Sequence, residues 1–222
     1  PTLKLLFAEL SLERDKLQTV TVKGKHKPVN LYRLMGSKRA IDDPNVIPKR
    51  IKDKYDTKFK SLFPYPEGLM LPVEVLDGAI RFSETSGFIS YILGVAVGLD
   101  DIELHDLVMA SFYAEIGKDV IPEYVLNRNG PLSAEEFDMV KHHPLESVNR
   151  LKSLKLGNDN IYAIVSHHHE NMDGTGYPHK LQGTDIPIGA KILALAEAYT
   201  SLTSVRPYRD AWTMDTALLE ME

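Results

Sequence analysis

Residues 167–178 read HHHENMDGTGYP, and this stretch decides how the rest of the chain is interpreted. It begins with three consecutive histidines, and imidazole nitrogen is the commonest protein ligand for zinc, iron and manganese ions. Asp173-Gly174 and Gly176-Tyr177-Pro178 then predict a tight, irregular loop, whose glycines let the backbone approach a ligand closely. The stretch therefore indicates a metal or ligand site, with polar residues at a helix end as the alternative.

The composition is that of an ordinary globular protein: 222 residues, 43% hydrophobic and 26% charged. Cysteine is absent, so there is neither a disulfide framework nor a thiolate metal site, and a metal must be held by histidines and carboxylates. The net charge of −5 argues against binding to DNA. No apolar run is long enough for a membrane span and no signal-peptide pattern occurs, so we expect a cytoplasmic location.

Composition changes after Pro72, which predicts a small N-terminal domain over residues 1–72. Leucine spacing predicts an amphipathic helix over 2–17, and alternation predicts a β-hairpin from Thr19–Lys23 and Val29–Leu34. A polar helix is predicted near 49–60.

From residue 73 to 222 the pattern is almost entirely helical. Helices are predicted over 73–98, 101–114, 144–156, 159–169, from Pro187 onward and over 212–221. The last of these reaches the end of the sequence, so we expect the C-terminal helix to be incomplete.

Further candidate ligands lie on separate predicted helices. Glu115 follows an apolar helix, and Glu197 lies in a segment that is apolar nearly all round, where a buried carboxylate needs a cation or hydrogen-bond donors. His142 and His143 stand before Pro144 at a helix start. Carboxylates and imidazoles on adjoining helices form metal sites in helical bundles. The alternatives are a solvent-facing or salt-bridged glutamate, a capping histidine and, for Lys118, a surface lysine.

An ordered set of motifs identifies the region from about residue 74 to 222 as similar to the HD-GYP family, a branch of the HD phosphohydrolases. The motifs are Ile116-Gly117-Lys118, Ile121-Pro122, Gly130-Pro131-Leu132-Ser133, His143-Pro144, His168-His169-Glu170, Asp173-Gly174-Thr175-Gly176-Tyr177-Pro178, Ile186-Pro187, Ala190-Lys191-Ile192-Leu193 and Arg206-Pro207-Tyr208-Arg209. The resemblance implies a mainly α fold: an HD-GYP-like helical bundle over 73–222 behind the small N-terminal domain, for which an α/β fold is open.

The family hydrolyses the bacterial second messenger cyclic di-GMP at a site of two or three metal ions, commonly iron or manganese. This sequence departs from the family at the ligands. The His-Asp pair falls on Ala114-Glu115, an earlier histidine falls on Phe82, and two later aspartates fall on Glu197 and Thr200. The family's lysine and three other histidines are present as Lys118, His143, His168 and His169.

The pattern of loss predicts one divalent metal ion (iron, manganese or zinc) or none. The family resemblance implies two metal positions. The second retains Glu115, His143, His168 and His169, whereas the first retains only Glu115 and Glu197. Two-metal phosphodiesterases clamp the attacking and leaving oxygens together, so the loss of one ion weakens catalysis. Lys118 is the expected catalytic residue, because its ammonium can neutralise a phosphate.

The resemblance also implies that Tyr177, Arg206 and Arg209 line a nucleotide pocket, where arginine forks suit phosphate and guanine edges. The loop Gly176-Tyr177-Pro178 is linked in the family to contacts with diguanylate cyclase domains. The leading hypothesis is a degenerate member that binds cyclic di-GMP or partner proteins with weak or no hydrolysis. An active metal-dependent cyclic di-GMP phosphodiesterase with rearranged ligands is the alternative, and a purely structural helical module is a third.

Overall fold

Helices account for most of the computed structural model, which describes residues 12–20, 29–37, 43–62, 71, 74, 81–128, 130–204 and 211–221. Two strands come first, β1 (Leu12–Val20) and β2 (Val29–Ser37). The helices are α1 (Lys49–Leu62), α2 (Phe82–Val97), α3 (Asp101–Tyr113), α4 (Glu123–Leu126), α5 (Ala134–Lys141), α6 (His143–Leu154), α7 (Asp159–His167), α8 (Ile188–Thr203) and α9 (Met214–Glu220), with 3-10 turns at Ile116–Val120 and Gly183–Asp185. None of these described helices is both long and apolar enough to cross a bilayer. The predicted mainly α fold is confirmed.

The two strands pair antiparallel, from Val20 opposite Val29 to Leu12 opposite Ser37, which confirms a hairpin and its second strand. The predicted first strand, Thr19–Lys23, overlaps β1 only at Thr19 and Val20, and its other residues lie outside the described residues. The helix predicted over residues 2–17 is wrong where it can be compared, because residues 12–17 belong to β1; the rest of it lies outside the described residues. Leucine spacing depends on the local chain alone, whereas strand formation here depends on backbone pairing with residues 29–37.

The helix predicted over residues 73–98 is interrupted at Arg81. Arg81 adopts a left-handed conformation with φ of 59° and α2 begins at Phe82, whereas Glu74 is helical and residues 75–80 lie outside the described residues. The buried Glu74 accepts a hydrogen bond from the Ser83 backbone N–H at 2.8 Å, which satisfies one of the free donors of the first turn. The carboxyl group of Glu74, which lies outside the helix, therefore caps the start of α2.

Helix α8 packs against α2, α3, α7 and α9 and carries the central apolar surface. One core cluster joins α3, α6, α7 and α8 through Leu107, Leu151, Val165 and Leu193, all fully buried. Packing of this kind holds the ends of α3, α6 and α7 close together, and these ends carry the candidate ligands.

A second core cluster joins residues 43–62 to the helical bundle. Phe59 of α1 meets Phe88 of α2 edge to face with ring centroids 5.1 Å apart. The buried Tyr199 hydroxyl of α8 donates to the Val46 carbonyl at 2.6 Å. Residues 43–62 thus share a core with the helices that follow, and the division of the chain at residue 72 stays a prediction.

Candidate metal centre and ligand pocket

Glu115, His143, His168 and His169 each present one ligand atom to a common point, and these four atoms all lie within 4.8 Å of one another. Glu115 follows α3, His143 is the first residue of α6, and His168 and His169 follow α7. Donors bound at about 2.1 Å to one ion lie no more than about 4.2 Å apart. The cluster therefore needs an inward movement of only about half an ångström to close round an ion.

Hydrogen bonds fix how two of these imidazoles face the cluster. His143 Nδ1 lies 2.7 Å from the Val140 carbonyl and His168 Nδ1 lies 2.6 Å from the Val165 carbonyl. A carbonyl only accepts, so each Nδ1 carries the hydrogen and each neutral ring directs an unprotonated Nε2 inward. Such backbone bonds are the usual second support of metal-binding histidines.

A cation would satisfy the inward-facing atoms. The two Nε2 atoms are 3.3 Å apart, and Glu115 Oε1 lies 3.1 Å from the His143 Nε2 and 3.8 Å from the His168 Nε2. With the hydrogen on Nδ1 neither ring donates to Glu115 Oε1, which is fully buried and has no other hydrogen-bond partner in the described part of the chain. Lone pairs and a carboxylate that meet in a dry interior repel one another unless a cation joins them. The residues therefore fit a divalent metal, which would supply Lewis-acid polarisation of a bound phosphate.

The electrostatics of the cluster also favour positive charge at this point. Burial raises the pKa of Glu115, but the Lys118 ammonium and the imidazoles lower it more, so the net pKa lies well below the usual range. Burial lowers the pKa of His168, but Glu197 and Glu115 raise it more. Burial and the neighbouring rings hold the pKa of His169 well below its ordinary value, so this ring is neutral and able to coordinate.

Glu197 lies beside the four donors without being one of them. Its Oε2 is 3.8 Å from His168 Nε2, and its buried Oε1 has no hydrogen-bond partner within the described ranges. Burial, with a smaller contribution from Glu115, raises the pKa of Glu197 to about 7. Thr200, one turn later, donates its hydroxyl to the Ala196 carbonyl at 2.7 Å and is not directed at the cluster.

Ser147 holds the turn that carries Glu115 and Lys118. Its buried hydroxyl donates to the Ala114 carbonyl at 2.6 Å and accepts from the Gly117 N–H at 2.8 Å. A Cβ on Gly117 would lie 2.3 Å from the His143 carbonyl oxygen, so only glycine permits this approach. Lys118 forms a close ion pair with Glu115 across the turn.

The loop after the histidines folds back over the cluster. The buried carboxylate of Glu170 accepts hydrogen bonds from the backbone N–H groups of His179, at 2.6 Å, and Leu181, at 3.0 Å. The Tyr177 N–H donates to the His169 carbonyl at 3.0 Å, and the Tyr177 ring stacks on the His169 ring with centroids 4.8 Å apart. The peptide bond between Tyr177 and Pro178 is cis. Tyr177 thereby covers one side of the candidate metal ligands.

A pocket of about 940 Å³ opens directly beside the cluster. Glu115, Lys118, His168, His169, Tyr177 and Glu197 line it, together with residues that the sequence reasoning did not select: Phe137, Lys141, Asn171 and Lys180. Phe82 also lines the pocket and Ala114 is fully buried, and neither a phenyl ring nor a methyl group offers a donor atom. Arg206 and Arg209 lie outside the described residues.

The family model for the HD domain matches residues 79–222, which is most of the chain. This chain is an HD-domain protein. The HD domain here is 35% identical over 148 residues to the cyclic di-GMP phosphodiesterase response regulator RpfG of Xanthomonas campestris, covering 66% of this chain and 39% of that one. It is 37% identical over 119 residues to the 3'3'-cGAMP-specific phosphodiesterase 2 of Vibrio cholerae, covering 52% and 22%.

The fold is also that of a solved HD-domain relative. Bd1817, an HDG"Y"P protein from Bdellovibrio bacteriovorus, matches with a TM-score of 0.56 at 20% identity, covering 82% of this chain and 60% of that one. These matches confirm the resemblance to HD-GYP proteins that the motifs predicted. The chain spans less than half the length of the curated relatives described above.

Phe137 and Lys141, which the sequence did not single out, nevertheless have a recognisable sequence signal. Ser133 and Glu136 form a capping box at the start of α5, and this spacing is recognisable without a structure. A helix starting at Ala134 places Phe137 and Lys141 on one face, four residues apart. Ser147 had no such signal, because a lone serine within an amphipathic helix is ordinary.

Proposed function

We propose that this HD domain binds one divalent metal ion through Glu115, His143, His168 and His169, and takes up cyclic di-GMP in the adjoining pocket with weak or no hydrolysis. The observation that carries the proposal is the convergence of four donors beside a pocket of about 940 Å³ that also contains Lys118. The volume falls within the range of small-molecule sites, which is about 300–1,000 Å³.

Similarity to named phosphodiesterases supports a cyclic dinucleotide as the ligand. RpfG is a cyclic di-GMP phosphodiesterase and the Vibrio relative acts on 3'3'-cGAMP, so two related proteins act on ligands with the same cyclic phosphodiester core. Lys118, Lys141 and Lys180 line the pocket of this chain and supply positive charge for such phosphates.

Impaired hydrolysis is proposed because the neighbouring metal position lacks imidazole. Phe82 and Ala114 stand where the family resemblance places two histidines, and neither a phenyl ring nor a methyl group coordinates an ion. A single ion neutralises less of the charge that develops during phosphodiester cleavage than a pair does.

Active hydrolysis is the second candidate, and Glu197 is the observation that favours it. Its carboxylate faces the cluster with one buried oxygen unpartnered in the described part of the chain, so Glu197 and Glu115 offer two carboxylates to a second ion. Lys118 would then orient the phosphate in either case.

Metal analysis combined with a hydrolysis assay separates the two candidates. We expect about one equivalent of iron, manganese or zinc in protein purified without chelator, and cyclic di-GMP turnover with manganese or ferrous iron no higher than in the H168A/H169A double variant. Two equivalents of metal together with turnover well above that control would establish the active enzyme. Binding of cyclic di-GMP is measured separately by calorimetry, and its absence with and without metal would contradict both candidates.

Restoration of the missing ligands provides a positive control. The triple variant F82H/A114H/E115D should raise the metal content, because it returns two imidazoles to the vacant side of the site. Unchanged metal content would show that Phe82 and Ala114 do not occupy the ligand positions assigned to them.

Three other features are part of the proposal. The loop Gly176-Tyr177-Pro178 is a candidate contact for diguanylate cyclase or other signalling domains, and Arg206 and Arg209 are candidate nucleotide-binding residues. A cytoplasmic location agrees with an intracellular second messenger as ligand. Pull-down with wild type and a Y177A variant tests the loop, and loss of cyclic di-GMP affinity in R206A and R209A tests the arginines.

A further inference from the structure

Helix α5 presents an exposed aromatic ring at the mouth of the pocket. Phe137 is 44% exposed although it is a phenylalanine, and it lines the pocket together with Lys141 one turn later. The Lys141 ammonium lies 4.7 Å from the centre of the Phe137 ring. Exposed aromatic rings in a concave site commonly bind ligands, because a bound ligand removes the apolar ring surface from water.

The position of this ring is fixed from two sides. The capping box of Ser133 and Glu136 determines where α5 begins, so the face that carries Phe137 and Lys141 is determined with it. The Phe137 ring also meets Tyr177 edge to face, with centroids 6.2 Å apart and planes at 83°. Since Tyr177 stacks on His169, a row of three rings runs from the metal ligands to the mouth of the pocket.

We propose that Phe137 is a stacking platform for a purine base of the bound nucleotide, and that Lys141 selects guanine over adenine at the edge of that base. This inference rests on the proposed binding of a cyclic dinucleotide. A phosphate held near the metal ligands and Lys118 leaves the base to extend outward along the row of rings, and Phe137 is the outermost ring of that row.

The chemistry of the two side chains decides the preference. Guanine presents two acceptors, N7 and O6, on one edge, whereas adenine presents the N7 acceptor beside an amino donor. A lysine ammonium has only donors, so it is complementary to guanine and meets the adenine amino group unfavourably. Lys141 is available for this role because its partner Asp138, at 2.8 Å, is an exposed carboxylate, and such surface pairs are weak.

The competing interpretation is that Phe137 only packs against Tyr177 and that Lys141 is an ordinary surface lysine. A leucine at position 137 distinguishes the two, because leucine retains an apolar contact with Tyr177 but offers no π face. Met139 provides a matched control on the same helix, since it is 42% exposed and is not among the pocket residues. Lys152, whose ammonium lies 5.3 Å from the Tyr162 ring, is the control for a lysine over an aromatic ring outside the pocket.

Calorimetric titration of the metal-loaded full chain with cyclic di-GMP and cyclic di-AMP tests the proposal. We expect F137L to weaken cyclic di-GMP binding by about 5- to 150-fold, as loss of one stacked base predicts, while F137W and M139A bind like wild type. K141Q should reduce the ratio of cyclic di-GMP to cyclic di-AMP affinity, and K152Q should leave that ratio unchanged. Equal affinities of F137L and wild type would overturn the platform, and an equal loss for both ligands in K141Q would overturn the guanine preference.

Failure of the proposed function has a different signature. Wild type that binds neither cyclic dinucleotide contradicts that function, and the platform is then tested with GMP against ribose 5-phosphate, which differ by the base. Tighter binding of GMP that is lost in F137L supports the platform independently. Equal binding of the two monophosphates, or no binding of either, overturns it.

Discussion

Replacement of Ser147 by alanine should both destabilise the fold and weaken metal binding, although Ser147 does not face the metal site. Its hydroxyl joins the Ala114 carbonyl to the Gly117 N–H, and the three residues are buried. Glu115 lies between the two groups that the hydroxyl joins, so the serine holds the turn from which the Glu115 carboxylate reaches the cluster.

The magnitude follows from the two backbone groups that the variant leaves without a partner. A buried donor or acceptor stripped of its partner costs about 1–3 kcal/mol. Two such groups give an expected loss of about 2–6 kcal/mol in the free energy of unfolding. At about 2–4 °C per kcal/mol for a chain of this size, the Tm should fall by about 4–24 °C. Metal affinity should fall by about 10- to 100-fold, as for other residues that orient ligands.

Urea unfolding of the metal-free protein measures the first effect, and metal titration at a temperature where S147A remains folded measures the second. S153A is the matched control on the same helix, because Ser153 is exposed and its hydroxyl bonds only the carbonyl one turn back. S153A should stay within about 0.5 kcal/mol of wild type. A loss below about 0.5 kcal/mol in S147A with unchanged metal affinity would refute the reasoning.

Three further outcomes are expected. E170A should accelerate amide exchange in the loop that follows, because two N–H groups lose a buried carboxylate acceptor; unchanged exchange would contradict this role. G176A should lower the Tm, since its Cβ would meet the backbone nitrogen of Asn171 at 2.3 Å, whereas G87A, with its nearest neighbour at 3.7 Å, should be tolerated. Burial raises the pKa of Glu197 from 4.5 to about 7, so the contribution of Glu197 to the stability of the metal-free protein falls as pH rises through that interval. E197Q should therefore unfold at higher urea than wild type at pH 8, by up to roughly 3 kcal/mol, with little difference near pH 4.5.

The sequence was most informative about the chemistry of the site. The histidine motifs and Glu115 were predicted as ligands, and the structure brings those four residues together because each follows or begins a helix whose other face is packed in the core. Ligand residue types at helix ends form a local pattern, and local patterns are readable without knowledge of how helices pack.

Features that depend on contacts between distant segments were not readable in this way. The start of α2 at Phe82 is capped by the Glu74 carboxyl group, and β1 depends on pairing with β2, so the local sequence pattern misassigned both regions. The placement of Glu197 beside the four donors, rather than among them, depends on how α8 packs against α7. A few ångströms decide whether a side chain is a metal donor or only lies next to the donors. Helix packing sets this distance, and residue spacing in the sequence does not report it.

The stacking of Tyr177 on His169 means that one side chain borders two compartments at once. Its ring lies on an imidazole that is a candidate ligand of the ion, and the same residue lines the space proposed for the nucleotide. Any ligand that tilts the phenol ring alters the imidazole beneath it. Thermodynamic reciprocity then requires that ion and nucleotide change one another's affinity by the same factor, so a dissociation constant for either one has meaning only at a stated concentration of the other.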